Sequence, residues 1–543
     1  MGIQRTAPRF TRGKDLPGAT ALFLALLLSL GLGTARSQSA ATVAASDPST
    51  IKGKVLFGYQ GWFDCPGTWG GSWSHWAGGA PSATSISVEM YPDLSDFPKS
   101  DLCVDANLTV NGASSYFFSA RNPNVTDMHF KWMQNYGLDG VLIQRFLSDV
   151  PGLKSRGDQT LKNIIASSAK YGRVIAIEYD VTGSNFNTWA TDLENDWKYL
   201  VDNLKITGGA NYLHEKGRPL VSVWGIGLNE SRNPPNTPAE AMTMVNWFHT
   251  TAAAPYQASI MAGAPAGFRT GTRDARPDPG WLNVWKACEV VQPWNVGRIS
   301  SVNQAKTSFK TDVANDQKWL EAAGVTYMPV LYPGYSFNNA NKAKPKNEIP
   351  RMGGNFIWQM AIATKAANVG AVKIAMFDEV NEATAMFKVA AKKSDAPAQG
   401  WWLTLDADGG PALPSDWYLR IAGEITKMTS GRQVATDSIP IKPGDAYIVG
   451  VNPALRSSAS ASKLRWDRVP QGLLFHLSGA RGELQICTMK GQALRHIPAQ
   501  GAQAIWDLRD DRGAVLPPGL YPARFVGMDG NSPAGNAGLV TIP

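Results

Sequence analysis

At 543 residues the chain exceeds one ordinary hydrophobic core and calls for two or three domains. Apolar residues make up 44% and charged ones 18%, a balance that excludes a mainly disordered protein. The formal net charge of +8 falls to +4 once residues 1–36, with five Lys or Arg and one Asp, are set aside; no basic stripe interleaved with aromatics remains, which argues against nucleic-acid binding.

The amino end reads as an export signal over residues 1–36. Arg5, Arg9, Arg12 and Lys14 precede an apolar run from Ala19 to Gly33, and Gly33-Thr34-Ala35 offers small residues for cleavage. The run is short for a spanning helix and no later segment reaches that length, so a secreted or periplasmic protein without a membrane span is expected. Residues 37–49 are small and polar, a tether.

The first strand, Lys54–Tyr59, runs into Gln60-Gly61-Trp62-Phe63-Asp64-Cys65-Pro66-Gly67. Thr68–Gly79, with Trp69, Trp73, His75 and Trp76, is too rich in Gly for regular structure and reads as a binding loop. An insertion over Ala80–Ala120 carries Glu89, Tyr91, Asp93 and Asp96 and is expected over the same end. Of the four cysteines, Cys65, Cys103, Cys288 and Cys487, the first two share this aromatic-rich region and form the disulfide candidate of an exported protein. Their spacing fits no zinc template.

An alternation then sets in. Helices near Val125–Tyr136, Gln159–Tyr171, Thr188–Leu204 and Ala239–Ala253 precede strands Gly140–Phe146, Arg173–Tyr179, Pro219–Trp224 and Gln257–Ala262. Helices at Trp281–Ala287, Asp312–Ala323 and Asn355–Asn368 precede Glu289–Pro293, Tyr327–Leu331 and Val372–Phe377. With the first strand this makes eight parallel βαβ units, the pattern of an α/β chain closed into a (β/α)8 TIM barrel over residues 50–430, with a final helix near Asp416–Met428. A doubly wound open sheet competes, but no Gly-rich nucleotide fingerprint follows an early strand.

Polar and aromatic residues recur where these strands stop, the face on which barrels carry chemistry. Glu178, Tyr179 and Asp180 end the third strand and Trp224 the fourth; Trp294 and Arg298 follow the sixth and Tyr335 the seventh. The eighth ends in Asp378, Glu379 and Glu382, three carboxyl groups within five residues. Two carboxyls in one cleft perturb each other's protonation, so Glu379 and Glu382 are the catalytic candidates. Trp62, Glu178, Tyr179, Asp180, Trp224, Trp294, Arg298, Tyr335 and Asp378 are the substrate-binding candidates. For any single one of these a structural role, such as a helix cap or an ion pair, competes with the functional one.

Residues 431–462 hold Pro440, Pro443, Pro453 and the low-complexity Ser457–Ser462, a linker. Residues 463–543 change to short alternating segments, Leu473–Leu477 and Glu483–Thr488. Turn signals stand at Lys490-Gly491, Asp511-Arg512-Gly513 and Pro517-Pro518-Gly519, a pattern that suits a small antiparallel β-sandwich.

Several motifs in order resemble the secreted glycoside hydrolase family 71/99-like proteins over residues 50–430. They are Gly58-Tyr59-Gln60-Gly61-Trp62-Phe63, Val223-Trp224-Gly225, Gln292-Pro293-Trp294-Asn295-Val296-Gly297-Arg298, Ile349-Pro350-Arg351-Met352-Gly353-Gly354 and Met376-Phe377-Asp378-Glu379-Val380-Asn381-Glu382-Ala383-Thr384. The endo-α-mannosidases of family 99 carry Glu-Trp-His-Glu at the last strand; here Val380-Asn381 stands between the two acids. The resemblance implies that Glu379 acts as base on the sugar 2-hydroxyl and Glu382 as acid on the leaving oxygen. Ile505-Trp506-Asp507, Asp510-Asp511-Arg512-Gly513 and Pro517-Pro518-Gly519-Leu520-Tyr521 resemble the Ig-like module of flagellar hook-capping proteins, which implies a spacer or attachment domain.

These readings converge on a secreted glycoside hydrolase acting on an α-linked polysaccharide or glycan, without cofactor or metal. A non-catalytic glycan-binding or cell-surface protein on the same scaffold is the alternative. A metal-dependent hydrolase finds little support, because the six His, at 75, 129, 214, 249, 476 and 496, show no ligand spacing.

Overall fold

The computed structural model describes residues 44–231, 234–445 and 465–542, less a few short stretches within the last segment. The signal segment, the start of the tether and most of the linker, at residues 446–462, lie outside the described residues.

Eight parallel strands form the central sheet: β1 (Val55–Tyr59), β2 (Gly140–Phe146), β3 (Val174–Asp180), β4 (Arg218–Trp224), β5 (Ser259–Pro265), β6 (Val290–Trp294), β7 in two pieces (Thr326–Tyr327 and Val330–Leu331) and β8 (Val372–Ile374). Their near-continuous apolar runs are buried on both faces, as parallel strands under helices must be. Each strand pairs with the next in chain order, and β1 pairs with β8 through Val55 and Val372. The ring closes at β7. Thr326 pairs with Val290 of β6, while Val330 pairs with Lys373 of β8. Between the two pieces stands Pro329, which has no N–H for the ladder; its carbonyl still accepts from Lys373 N at 3.1 Å.

All eight strands lie where the sequence places them, and the helices between them differ only at their ends. The helix expected from Gln159 begins at Val150, because a proline in the first turn loses no hydrogen bond that the helix needs. β8 leaves the ladder at Ile374 rather than Phe377, yet Ala375 N still donates to Leu331 O (2.9 Å) and Phe377 N to Gly58 O (2.8 Å). The acid-bearing turn is therefore held to its neighbours right up to Asp378.

The segment expected as a binding loop is only partly open. Trp76 is fully buried, its Nε1 donating to Phe118 O at 2.9 Å, and Trp73 packs on the core, whereas Trp69 is exposed. Cys65 and Cys103 are joined by a disulfide, and Cys103 opens a hairpin, Cys103–Val110 with Ala113–Phe117, inside the insertion. Of the insertion's polar residues, Asp96 pairs with Lys388 (2.6 Å), and the Tyr91 hydroxyl donates to Tyr116 O (2.8 Å).

After residue 465 the chain forms two antiparallel sheets, one of three strands and one of four, around their own core of Leu473, Phe475, Leu484, Ile486, Trp506 and Tyr521. Two of these seven strands match the segments singled out in the sequence. The others, such as Ala493–Gln500, carry too many polar residues to stand out by alternation. The Asp511-Arg512-Gly513 turn forms as its sequence suggests, with Asp510 Oδ1 accepting from Arg512 N (2.9 Å) and Ala514 N (2.8 Å).

Candidate active site

At the carboxyl end of the barrel strands lies a cavity of about 500 Å³, and both Glu379 and Glu382 line it. The turn that carries them is built from its own backbone. Asp378 is buried and faces away from the cavity, where it accepts from the N–H groups of Gln60 (2.8 Å) and Gly61 (2.9 Å) and clamps the end of β1 to the end of β8. Burial holds its carboxyl up at about 6, against the pull of those two donors. Asp378 is thus a buttress rather than the substrate-binding residue expected.

Glu379 is 2% exposed and Glu382 half-buried. Both carboxyls are pushed above the ordinary range, Glu379 by burial and then by the charges of Glu382 and Asp378, and Glu382 by burial. Among the described residues no cation offsets either shift. Glu379 has hydrogen-bond donors that favour its ionised form: the Gln60 side chain and the backbone N–H of Asn381, at 3.2 Å. Two acids whose charges act on each other cannot both ionise cheaply, so at neutral pH the pair retains a proton.

The third-strand acids behave differently. Glu178 reaches the cavity floor but is tied up: its carboxylate pairs with Lys373 and accepts from Gln144 Nε2 (2.8 Å) and Gln292 Nε2 (3.3 Å). Lys373, fully buried on β8, also donates to Gln292 Oε1 (3.1 Å) and lies over the Trp294 ring. Asp180 lines the cavity, its carboxyl raised to about 6 chiefly by burial, and accepts from Thr182 N at 2.8 Å. Tyr179, between them, points the other way. Successive side chains on a strand alternate faces, and its hydroxyl donates to Asp196 of the surrounding helices at 2.8 Å. It does not line the cavity.

Trp224 and Trp294 line the cavity as a T-shaped pair with centroids 5.7 Å apart. Trp62 lines it too, although His75 stacks on its ring at 4.0 Å and Phe146 at 5.3 Å, so much of that ring meets protein. Arg298 is not at the cavity: Asp274 holds its Nε at 2.8 Å. Tyr335 lies outside the lining as well, its backbone bridged to Ile349; burial raises its phenol, followed by the nearby charge of Glu382.

Sequence reasoning missed Gln60 and Asn381, both cavity residues. Asn381 Nδ2 donates to His75 O (2.8 Å) and Ser87 O (3.3 Å), and Glu89 N donates to Val380 O (2.8 Å). Buried Glu89 also accepts from Ser336 Oγ and Asn339 N, so the insertion, the aromatic loop and the β7 loop are all fastened to the acid turn. An amide wedged between two glutamates was the available signal, and only the fold reveals what it grips.

No protein-family model and no curated protein matches the sequence. Among solved structures, the fold is similar to that of a GH99 endo-alpha-mannosidase from Bacteroides thetaiotaomicron, with a TM-score of 0.52 at 15% identity over 71% of this chain and 100% of that one; that structure is a complex with BIS-TRIS-propane. A second structure of a GH99 endo-alpha-mannosidase from that organism gives a TM-score of 0.51 at 15% identity, with the same coverage of 71% and 100%. The chain therefore has a glycoside hydrolase fold.

Proposed function

We propose that the protein is an exported glycoside hydrolase that cleaves an α-linked glycan between Glu379 and Glu382. The observation that carries this reading is the pair itself: two carboxyls, both raised and without a cation among the described residues, lining one cavity at the carboxyl end of the barrel strands. A purely structural acid at such depth is normally matched by a cation, as Glu178 is by Lys373, or by a pair of backbone N–H donors, as Asp378 is, and Glu382 has neither among the described residues.

In this mechanism Glu382 gives its proton to the glycosidic oxygen as the bond from that oxygen to the anomeric carbon breaks. Glu379, with two donors aimed at it, carries the negative charge and takes the proton of the sugar 2-hydroxyl, whose oxygen closes on the anomeric carbon as the leaving oxygen departs. Water then opens that ring, giving its proton to Glu382 while Glu379 returns its own to the 2-oxygen. Burial works against that charge; the Gln60 and Asn381 donors work for it, and protonation of Glu382 removes the nearest repulsion. Asp180, Trp224 and Trp294, which line the same cavity, hold the sugar. The fold shared with endo-alpha-mannosidases makes α-mannans the first substrates to try. The Cys65–Cys103 disulfide suits an oxidising compartment, in keeping with export directed by residues 1–36.

The test is incubation of the mature chain with a panel of α-mannans and α-glucans, with product anomers read by NMR and Glu382→Gln run beside it. New reducing ends from the parent and none from the variant support the reading. Sugar binding without any cleavage across the panel would make the protein a lectin-like binder instead.

A further inference from the structure

Glu89 stands in the insertion, fully buried and outside the cavity lining. Its carboxylate is held by donors on both oxygens: Oε2 accepts from Ser336 Oγ and Oε1 from Asn339 N. The Ser336 hydroxyl accepts in turn from Asn347 N at 3.0 Å, so its single proton points to Glu89. With a donor on each oxygen the place suits a carboxylate, and an amide there would set its NH2 end against one of them.

The main chain of Glu89 is engaged as well. Its N–H donates to Val380 O (2.8 Å), and its carbonyl accepts from Leu403 N (2.7 Å). Ser336 N donates to Glu382 O at 3.0 Å. Glu89 therefore grips the acid turn twice: directly at Val380, between the two glutamates, and through Ser336 at Glu382 itself. The turn needs such a grip. Ala383, the residue after Glu382, is buried in a left-handed backbone (φ 54°), which a residue with a Cβ adopts only where its surroundings impose it. The two glutamates also differ in what steers their side chains. Glu379 has the Gln60 and Asn381 donors, whereas no hydrogen bond holds the Glu382 carboxyl among the described residues, so the aim of Glu382 follows its backbone.

We propose that Glu89 is a positioning residue for Glu382, fixing the backbone on which that acid stands so that its carboxyl meets the glycosidic oxygen. The inference rests on the hydrolase reading and deepens it: a carboxylate outside the cavity sets the line along which the acid delivers its proton.

Glu89→Gln in the full chain is the direct probe, and Ser336→Ala, which cuts only the second route, is the milder one. Each is assayed on linear α-mannotetraose and on dinitrophenyl α-mannobioside, whose leaving group needs no acid, with melting temperatures as folding controls. On mannotetraose kcat should fall about 10- to 100-fold in Glu89→Gln and less in Ser336→Ala, with KM within about twofold of the parent's, as for a displaced acid with binding intact. On the dinitrophenyl glycoside kcat/KM, which reports only the steps up to bond cleavage, should stay within about threefold of the parent's in both variants. Damage that is merely structural would slow both substrates alike. That result, or parent rates on both substrates, in a folded variant overturns the positioning role and spares the hydrolase reading. If Glu89→Gln does not fold, Ser336→Ala decides alone. A parent that cleaves neither probe overturns the α-mannan reading, and the positioning role with it.

Discussion

Two acidic clusters rise from the barrel and look alike in sequence, Glu178-Tyr179-Asp180 at β3 and Asp378-Glu379 with Glu382 at β8, yet the fold gives them opposite characters. Glu178 meets Lys373 and two glutamine amides, a closed network in which every charge has a partner. Glu379 and Glu382 line one cavity with no cation on either among the described residues, and amide donors reach Glu379 only. A carboxyl's role is set by what stands opposite it. The matched acid stiffens the barrel interior, and the unmatched pair, in the function proposed above, supplies the proton.

The largest expected effect breaks the unmatched side. Glu379→Gln or Glu382→Gln keeps the shape and removes the titrating group, and turnover of the responsive glycan should fall by roughly 10²- to 10⁴-fold, the usual worth of a positioned acid or base. An aryl glycoside with a good leaving group should rescue Glu382→Gln, which lacks the acid, and not Glu379→Gln. Equal rescue of both would reverse or dissolve the assigned roles.

Breaking the matched side should act on stability instead. Lys373→Met leaves Glu178 buried without its cation and should cost about 3–5 kcal/mol in denaturant titration. The double substitution Lys373→Met with Glu178→Leu should recover most of that, because no orphan charge then remains. Asp378→Asn is milder. It exchanges a carboxylate that accepts from two backbone N–H groups for an amide that can accept with one end only, at about 1–3 kcal/mol. Its turnover should also drop, since the β1 end that carries Gln60 loses its clamp.

The smallest effect is a pH dependence. A carboxyl whose folded pKa is raised binds its proton more tightly in the native state, so the native state is favoured at low pH. That advantage is lost as pH climbs from the ordinary glutamate value of about 4.5 towards the raised folded value. The parent should therefore lose melting temperature across that window relative to Glu382→Gln, which has one fewer raised group. Parallel curves for the two proteins would mean that Glu382 is not held protonated by burial.

Much of this contrast could be anticipated from the chain. The eight strand positions follow from apolar runs alternating with helical patterns, and the strand period of two already puts Glu178 and Asp180 on one face and Tyr179 on the other. Lys373, in the middle of the apolar Val372–Ile374 strand, was itself a signal, since a lysine there needs an anion facing it. Pairing across the sheet is what the sequence could not supply. Arg298 looked like a cleft residue until Asp274, 24 positions away, was found to hold it. Asn381 looked incidental until its amide was seen to fasten the aromatic loop to the acid turn.

The central claim is most directly tested by the rate of reducing-end release from the responsive α-glycan by purified parent and Glu382→Gln proteins of equal melting temperature. The account predicts a loss of at least about a hundredfold with sugar affinity retained. A variant that turns over at the parent's rate would contradict it and move the chemistry away from this pair.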